Sequence, residues 1–432
     1  MLITVLVIIS IPATALLFLQ NQKIQTRLTS IITRELSDNL GTDIKIKEVS
    51  ITFINRFQLK DVYVADLNGD TLLYSDKMKV TLNHLNRVKK EIGINKLTLS
   101  EADIHLISTD TSGINLNFII DHLKNPDKPQ DEKWKIAFKD INLEESRFRF
   151  TNPYKPGKGS PINYSAMDLR DLNIKVNDLE VDSGNVAFKI KSLSFLERSG
   201  FRLKNLNSRM GIGKQYMHFE NVYLETLESS ISANTINFDF DTFKDFSDFT
   251  NKVNLNFNFR SSSLSFSDLT YFSRGLETFN ETIRLSGQVT GTVNELSSKN
   301  LLLSYNDHTI LSGSVKLFGL PDFTQTFMHL NIKTFQTNIE DIRRIQLPGN
   351  RNIQIPDNLD ELGTISYSGN FTGYYDDFVA YGRFGTNLGK ISTDLLLKRD
   401  TLGGIKYMGR VKTNSFALGK ITRGNEDVIG NI

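Results

Sequence analysis

From Asp43 onward, apolar and polar residues alternate along most of the chain with a period of two. The clearest run spans residues 253–259, where apolar side chains alternate with asparagines. The apolar positions of this run and of two similar runs are Val253, Leu255, Phe257 and Phe259, then Ile283, Leu285 and Val289, then Ile405, Tyr407 and Val411. Because successive side chains of a strand point to opposite faces of its sheet, the pattern predicts antiparallel strands with one apolar and one polar face.

A short apolar unit recurs in the first half of the chain, and we interpret it as a hairpin. The three copies pair residues 97–99 with 104–106, residues 141–143 with 148–150, and residues 179–181 with 186–188. Turn signals at Asn68-Gly69, Ser199-Gly200 and Asn306-Asp307 separate other strands. Repetition of one unit favours an elongated architecture. The predicted fold is therefore mainly β, with residues 42–432 forming an elongated, twisted antiparallel sheet curled into an open groove, or half-pipe.

An uncharged apolar run at residues 2–19 precedes the strands, and about 18 such residues are enough to cross a bilayer as a helix. A cleaved signal peptide is the competing interpretation, with small residues at Ala13-Thr14-Ala15. No basic residue precedes the run and apolar residues continue beyond Ala15, so we expect a retained transmembrane anchor over residues 1–20. Its membrane-facing candidates are Leu2, Val5, Ile8, Pro12, Leu16 and Leu19. The basic residues that follow the run would, by the positive-inside rule alone, keep the next segment in the cytoplasm.

Residues 21–41 are predicted to form an amphipathic helix, because apolar residues recur there at steps of three or four and Gly41 is a typical stop. We favour a helix that plugs the end of the following sheet over one that lies on a membrane surface. Short helices are also predicted at residues 115–124, 266–279 and 339–345. These helices are too few to cover the apolar face of the sheet. That face must therefore meet a second sheet, curl on itself, or stay open and meet lipid.

Composition removes several function classes. The 51 Lys and Arg residues nearly balance the 49 Asp and Glu residues, which argues against a nucleic-acid binder. The absence of cysteine excludes disulfides, thiolate metal sites and cysteine nucleophiles. The motifs of hydrolases, nucleotide-binding proteins and zinc peptidases are missing. Residues 66–70 resemble only the start of a calcium-binding loop, and a hairpin turn explains their sequence. We therefore predict no catalytic, cofactor or metal site, and a protein that is not an enzyme.

Several segments of turns and strands resemble a known family. They are residues 40–80, 193–206, 219–233, 285–296 (LSGQVTGTVNEL), 313–323 (GSVKLFGLPDF) and 362–395. The chain resembles the N-terminal part of TamB-like proteins of the Bacteroidota type, the inner-membrane subunit of the translocation and assembly module, within the wider AsmA-like group. The resemblance covers nearly the whole chain and carries no active-site motif. Two departures are the lack of basic residues before the anchor and the lack of the family's C-terminal domain.

The resemblance implies a half-pipe with an apolar lumen that carries phospholipid between the inner and outer membranes and supports outer-membrane biogenesis. It also implies a single-pass protein of the bacterial inner membrane with its β-domain in the periplasm. Its partners would be phospholipid acyl chains, the inner membrane and an outer-membrane barrel protein engaged through the C-terminal domain. The ten apolar residues of the alternating runs are then the lipid-groove candidates. An assembly factor that templates β-strands and a purely structural β-protein with a filled core remain alternatives.

Overall fold

A computed structural model describes residues 22–53, 55–86, 88–89, 91–109, 113–119, 135–155, 161–182, 184–272, 281–347, 351–352, 355–399 and 404–422. The chain divides into two compact units, residues 1–207 and 208–432, here called unit 1 and unit 2. Both are built mainly of β-strands, as the alternation predicts. The predicted anchor, including its six candidate residues, lies outside the described residues. Among the described residues, no helix is long and apolar enough to span a bilayer.

Unit 1 consists of one long helix followed by strands. Its elements are α1 (Gln22–Leu40), β1 (Ile44–Phe53), β2 (Arg56–Ala65), β3 (Thr71–Asn86), β4 (Glu91–Ile107), β5 (Lys135–Thr151), β6 (Ala166–Asp182), β7 (Asn185–Glu197) and β8 (Arg202–Leu203). Strand β9 (Asn205–Ile212) follows at the boundary of the two units. The predicted turns at residues 68–69 and 199–200 are found between β2 and β3 and between β7 and β8.

Helix α1 covers the free edge of β1. The helix ends where predicted, since Gly41 has a φ of +66° and its N–H donates to the carbonyl of Ser37 at 2.9 Å. The hydroxyl of Thr29 accepts from the Val49 N–H at 2.9 Å, and that of Ser37 accepts from the Ile44 N–H at 3.1 Å. Within unit 1, β1 pairs on its other side with β2. The predicted plug is therefore an edge cover, which satisfies strand donors that would otherwise template another chain.

Two of the three predicted hairpins are wrong, because their residues lie within single strands. Residues 97–106 belong to β4 and residues 141–150 to β5. At the predicted turns, Glu101 and Glu145 have φ values of +49° and +48°, and the strand continues beyond them. A left-handed residue interrupts the two-residue alternation locally, which looks in the sequence like a turn between two short strands. The third hairpin is confirmed, since β6 and β7 pair antiparallel on either side of residues 183–184.

The expectation of a wholly antiparallel sheet is also wrong at one place. Strands β4 and β5 pair in parallel, with Leu99 opposite Leu143 and Ile104 opposite Phe148. A parallel pair needs a long crossover, and residues 108–134 supply one. Residues 117–119 of the predicted 115–124 helix are helical, and residues 120–124 lie outside the described part of the chain.

Unit 2 is a run of antiparallel strands with short helices between them. Its elements are β10 (Tyr216–Glu225), β11 (Ser230–Asp239), a 3₁₀ turn (Phe243–Asp248), α2 (Phe249–Lys252), β12 (Asn254–Ser265), α3 (Phe266–Leu269), β13 (Thr282–Gly291), β14 (Glu295–Tyr305), β15 (Thr309–Phe318), a 3₁₀ turn (Phe323–Gln325), β16 (Phe327–Asn338), α4 (Ile339–Arg344), β17 (Gln346–Leu347), β18 (Arg351–Asn352), a 3₁₀ turn (Asp357–Leu362), β19 (Thr364–Gly373), β20 (Asp377–Thr386), β21 (Gly389–Arg399), β22 (Ile405–Asn414) and a 3₁₀ turn (Leu418–Lys420).

The strands of unit 2 form one open sheet by pairing in chain order from β10 to β16 and then from β19 to β22. Strands β17 and β18 form a separate short pair. Helix α4 confirms the helix predicted at residues 339–345, whereas α3 occupies only the start of the one predicted at 266–279. Residues 273–280 lie outside the described residues. The strand pairings establish an open sheet, and its curl into a half-pipe stays a prediction.

Candidate apolar surface

One face of the unit 2 sheet carries a line of mostly apolar side chains at neighbouring positions of successive strands. They are paired in register except between Val289 and Ser298, where the β13–β14 ladder is irregular. This line, the apolar row, comprises Phe257, Val289, Ser298, Val315, Leu330, Phe371, Ala380 and Leu395 on β12 to β16 and β19 to β21. Neighbouring strands lie about 4.8 Å apart, so the row runs roughly 34 Å across the strands. It is interrupted by one hydroxyl, that of Ser298. The row therefore offers a long path for an apolar ligand that lies across the sheet.

The side chains of this row are mostly half-exposed. Phe257, Val289, Leu330 and Phe371 are neither buried nor fully open to solvent, whereas Ala380 is buried. Among the described residues of unit 2, the other elements beside the sheet are short helices, turns and the β17–β18 pair. No second extended sheet is present there to fill a sandwich core. A large apolar surface left in this state is a typical ligand or partner surface.

The opposite face is mostly polar, although it also exposes Val379 and Tyr381, and side-chain amides join its strands. Asn331 donates to Asn370 at 2.9 Å, and Gln288 donates to Asn256 at 3.1 Å. His329 and Thr372 form a similar contact at 2.9 Å. These pairs stabilise the sheet on the water side. The alternation in the sequence predicts this division of faces correctly.

An aromatic cluster packs beside Phe257, at the end of β12 that begins with Asn254. Val253 and Leu255 are buried there together with Phe240, and the 3₁₀ turn before α2 adds Phe243 and Phe246. The ring centroid of Phe240 lies 4.9 Å from that of Phe243 and 5.0 Å from that of Phe246. Two of the ten groove candidates, Val253 and Leu255, therefore belong to a filled cluster.

The other groove candidates differ in exposure. Phe257 and Phe259 extend from the cluster with ring centroids 5.7 Å apart. On β13, Leu285 is buried, while Ile283 and Val289 are half-exposed. On β22, Tyr407 and Val411 are 77% and 56% exposed, and Ile405 lies at the start of the strand. The structure thus places the candidates on one face of three strands, β12, β13 and β22, and it brings the β12 and β13 sets together as neighbours.

The sequence reasoning missed a line of glycines beside the apolar row. Gly287, Gly313 and Gly369 each follow a serine on alternate strands β13, β15 and β19, and this Ser-Gly repeat is the signal that could have found them. An added Cβ at Gly313 would lie 2.2 Å from the backbone oxygen of Asn331. The facing strands β12, β14 and β16 carry the compensating irregularities, where two residues such as Lys333 and Thr334 lie opposite one residue of the partner strand. Such bulges bend a strand and increase its twist.

Tyr367 covers part of this glycine line. Its ring packs beside Gly382, and its hydroxyl donates to the carbonyls of Asn370 at 2.9 Å and Tyr381 at 3.2 Å. Burial raises the pKa of the Tyr367 hydroxyl above its ordinary value. The tyrosine is therefore a neutral, hydrogen-bonded part of the surface over the physiological pH range.

Buried carboxylates of unit 2 serve the ends of the sheet. Asp268 accepts from the hydroxyls of Thr226 at 2.6 Å and Ser229 at 2.5 Å, and Asp341 accepts from Thr309 at 2.7 Å. Each aspartate lies in a short helix and binds the turn of a hairpin, which explains its burial structurally. Among the described residues, no group of three or more metal-ligating side chains is found.

The arrangement provides hydrophobic contact along a line. Comparisons with protein-family models, curated proteins and solved structures found no match. What the surface can do thus follows from its own geometry. An apolar chain lying in the row gains about 0.8 kcal/mol for each methylene removed from water.

Proposed function

We propose that the chain is a non-enzymatic envelope protein that conducts phospholipids along the apolar face of its sheet. The single observation that carries this proposal is the half-exposed apolar row of unit 2. The sequence resemblance to TamB-like proteins supports the same function. In this proposal, the sheet curls far enough to shelter the acyl chains, and the head groups remain at its rim in water.

The dimensions of the row suit this ligand. Its length of roughly 34 Å is close to the roughly 30 Å hydrocarbon thickness of a bilayer, which two opposed acyl layers fill. A surface whose side chains are almost all apolar contacts acyl chains without selecting among head groups. Movement along the row requires only that successive contacts be similar in strength, because the hydrophobic effect is non-directional.

We further propose that residues 1–20 anchor the chain in a bacterial inner membrane and that the β-structure lies in the periplasm. The apolar run and the family resemblance support this placement. An outer-membrane barrel protein is the partner that the resemblance suggests. No step of the proposed function uses a cofactor or a nucleic acid.

A second candidate function is assembly of other β-proteins by strand templating. It is favoured by β22, which among the described residues pairs only with β21 and has its other edge free. An exposed strand edge can add a strand from a second chain. A purely structural role is a weaker candidate, because a filled two-sheet core is not found among the described residues of unit 2.

Site-specific photo-crosslinking tests the lipid proposal. A photoreactive phenylalanine analogue is placed at Leu330 on the apolar row, and in a matched variant at Asn331, the next residue, which faces the opposite side. The full chain is irradiated in bacterial membranes, purified and analysed by mass spectrometry for attached phospholipid. We expect lipid adducts at position 330 and few at position 331.

Leu330→Asp provides the functional arm of this test. A carboxylate in the row should block the passage of acyl chains because a charge is costly beside hydrocarbon. We expect adducts at a second probe position, Phe371, to fall while the strand signal in circular dichroism persists. Absence of adducts at Leu330 in the unmutated chain, or equal adducts at Asn331, would overturn the lipid proposal.

A further inference from the structure

The polar face of the unit 2 sheet carries four basic side chains around one hollow. This basic cluster consists of Lys333 on β16, Arg383 on β20, Lys390 on β21 and Lys412 on β22. The strand register brings them together, since Lys412 lies opposite Ser392, which in turn lies opposite Arg383. The backbones of Lys412 and Arg383 are therefore two strand spacings apart, about 10 Å.

A bulge in β16 places Lys333, the fourth basic residue, at the same hollow. Lys333 and Thr334 are the two residues of β16 that lie between the paired positions Ile332 and Phe335. Both are exposed and both line the hollow beside Ser368 and Arg383. Bulges commonly redirect side chains next to functional sites. The cluster is thus assembled from four strands, and its members Lys333 and Lys412 are 79 positions apart in the sequence.

The hollow contains no carboxylate to balance these charges. Its lining adds hydroxyl groups, among them Ser366, Ser368 and Ser392, and it includes neither Asp nor Glu. In the described part of the chain, none of the four basic residues has an ion-pair partner. An adjoining hollow shares Arg383 and Lys412 with the cluster and adds Arg410 and one carboxylate, Asp394, so its basic residues outnumber its acidic one by three to one. The basic cluster therefore keeps its net positive charge.

The far ends of the same strands are built differently. There Lys398 lies 3.8 Å from Asp377, and Arg399 lies 3.3 Å from Asp376. Two basic residues of β21, Lys398 and Arg399, thus have acidic partners at that end, although among the described residues Lys406 of β22 has none. Solvated lysines protecting a sheet edge would explain Lys412 alone. They do not explain the convergence of four cations from four strands on a hollow lined with hydroxyl groups.

We propose that the basic cluster binds a phosphate group. A tetrahedral phosphate has enough acceptor oxygens for a guanidinium, several ammonium groups and the serine hydroxyls at once. An anion also relieves the mutual repulsion of four cations held near one another. The cluster lies on the face opposite the apolar row, so this inference does not rest on the proposed lipid conduction.

Two arms of one experiment distinguish a soluble phosphate from a phospholipid head group. In the first, the full chain in a non-ionic detergent is titrated calorimetrically with inorganic phosphate at low salt. In the second, the chain is sedimented with vesicles of phosphatidylcholine alone or with added phosphatidylglycerol. Saturable heat in the first arm identifies a soluble phosphate as a ligand. Binding that depends on phosphatidylglycerol in the second arm, without heat in the first, identifies a head group.

The test variant is Arg383→Gln with Lys412→Gln, and the matched control is Lys398→Gln with Lys406→Gln. Both doubles remove two positive charges from β20 to β22, but only the first removes them from the hollow. Losing two charge-assisted contacts should weaken binding about tenfold or more in the test variant. The control should bind within about twofold of the unmutated chain.

A second double variant, Lys333→Gln with Lys390→Gln, provides an independent test if the Arg383→Gln, Lys412→Gln variant folds poorly. It should weaken binding to a similar extent. Circular dichroism confirms that each variant keeps its strands. The proposal is overturned if neither arm shows binding. It is equally overturned if the control double loses as much affinity as the two doubles in the hollow, because binding would then follow net charge alone.

Discussion

The two units interrupt most of their strands in different ways, although Asn221 in β10 of unit 2 has the left-handed conformation typical of unit 1. In unit 1, left-handed acidic residues occupy irregular positions within β2, β4, β5 and β6, at Asp61, Glu101, Glu145 and Asp171, with φ between +48° and +50°. In unit 2, glycines with φ above +100° face bulged strands, as at Gly287 and Gly313. An acidic side chain tolerates the compact left-handed region at some cost, whereas the extended region of positive φ is open essentially to glycine only.

This difference changes what the surface can carry. In unit 1, the apolar residues that flank a left-handed position remain on one face, as shown by Leu59 and Val62, which pack in the same buried cluster on either side of Asp61. The carboxylate stays available to bind, and Asp61 accepts from Lys47 at 3.0 Å and from Tyr74 at 2.9 Å. In unit 2, the glycine removes a side chain and allows the neighbouring strand to approach closely. The left-handed acidic residues of unit 1 thus add polar contacts, whereas the glycines of unit 2 leave a line of backbone without side chains beside the apolar row.

Gly313→Ala should produce the largest loss. The new Cβ would lie 2.2 Å from the Asn331 oxygen at a φ of +158°, and neither conflict can be relieved by moving a side chain. We expect unfolding to become easier by about 3 kcal/mol. The control is Gly385→Ala, whose Cβ would meet only the movable hydroxyl of Ser366. Urea unfolding followed by circular dichroism measures both, and an equal loss in the two variants would contradict the role assigned to Gly313.

Acid should weaken unit 1 through Asp168. Hydrogen bonds from Arg147 and Arg170 hold the pKa of its carboxyl at about 2, below the usual 3.8. A lowered folded-state pKa means that the stabilisation is complete above about pH 4 and is lost as the pH falls toward about 2. The expected loss is on the order of 2 kcal/mol, since the side chain is 8% exposed.

Hydrogen exchange of peptides from β5 and β6, measured at several pH values, reports this loss locally. Asp168→Asn should flatten the acid dependence of these peptides. An unchanged pH dependence in that variant would assign the acid sensitivity to other groups.

Ser146→Ala tests how unit 1 compensates its irregular positions. The buried hydroxyl accepts from the Ala102 N–H at 3.1 Å and donates to the Glu144 carbonyl at 2.9 Å. Its removal leaves two backbone groups without partners and should cost about 1–3 kcal/mol. Ser192→Ala on β7, a half-exposed serine, should cost less than about 0.5 kcal/mol. Equal costs in urea unfolding would show that the Ser146 hydroxyl is not needed at the irregular position.

Glu101→Gly should have the smallest effect, and its sign is the informative part. Glycine removes the penalty of a left-handed glutamate but adds chain entropy to the unfolded state, so we expect a gain of about 0.5 kcal/mol. Glu180→Gly, at an exposed and extended position of β6, should instead lose about 1 kcal/mol. If both variants lose stability equally in urea unfolding, the left-handed conformation of Glu101 carries no strain.

Much of the fold was predictable from local patterns. Alternation placed β12, β13 and β22 and the polarity of their faces, and Gly41 marked the end of α1, because these features depend on residues a few positions apart. The hairpins predicted around Glu101 and Glu145 failed because a turn and a left-handed residue within a strand interrupt alternation in the same way. Only the position of the neighbouring strands distinguishes the two.

The sequence alone therefore determined the β class, the strand periodicity, the covering helix and the absence of cysteine chemistry, since each is a property of composition or of short-range spacing. The tertiary structure decided the parallel pairing of β4 with β5, the burial of Val253 and Leu255 in an aromatic cluster, and the assembly of the basic cluster from four strands. These features depend on which distant segments become neighbours. Register between strands sets those neighbours, and register is fixed by bulges and glycines acting on both partners at once.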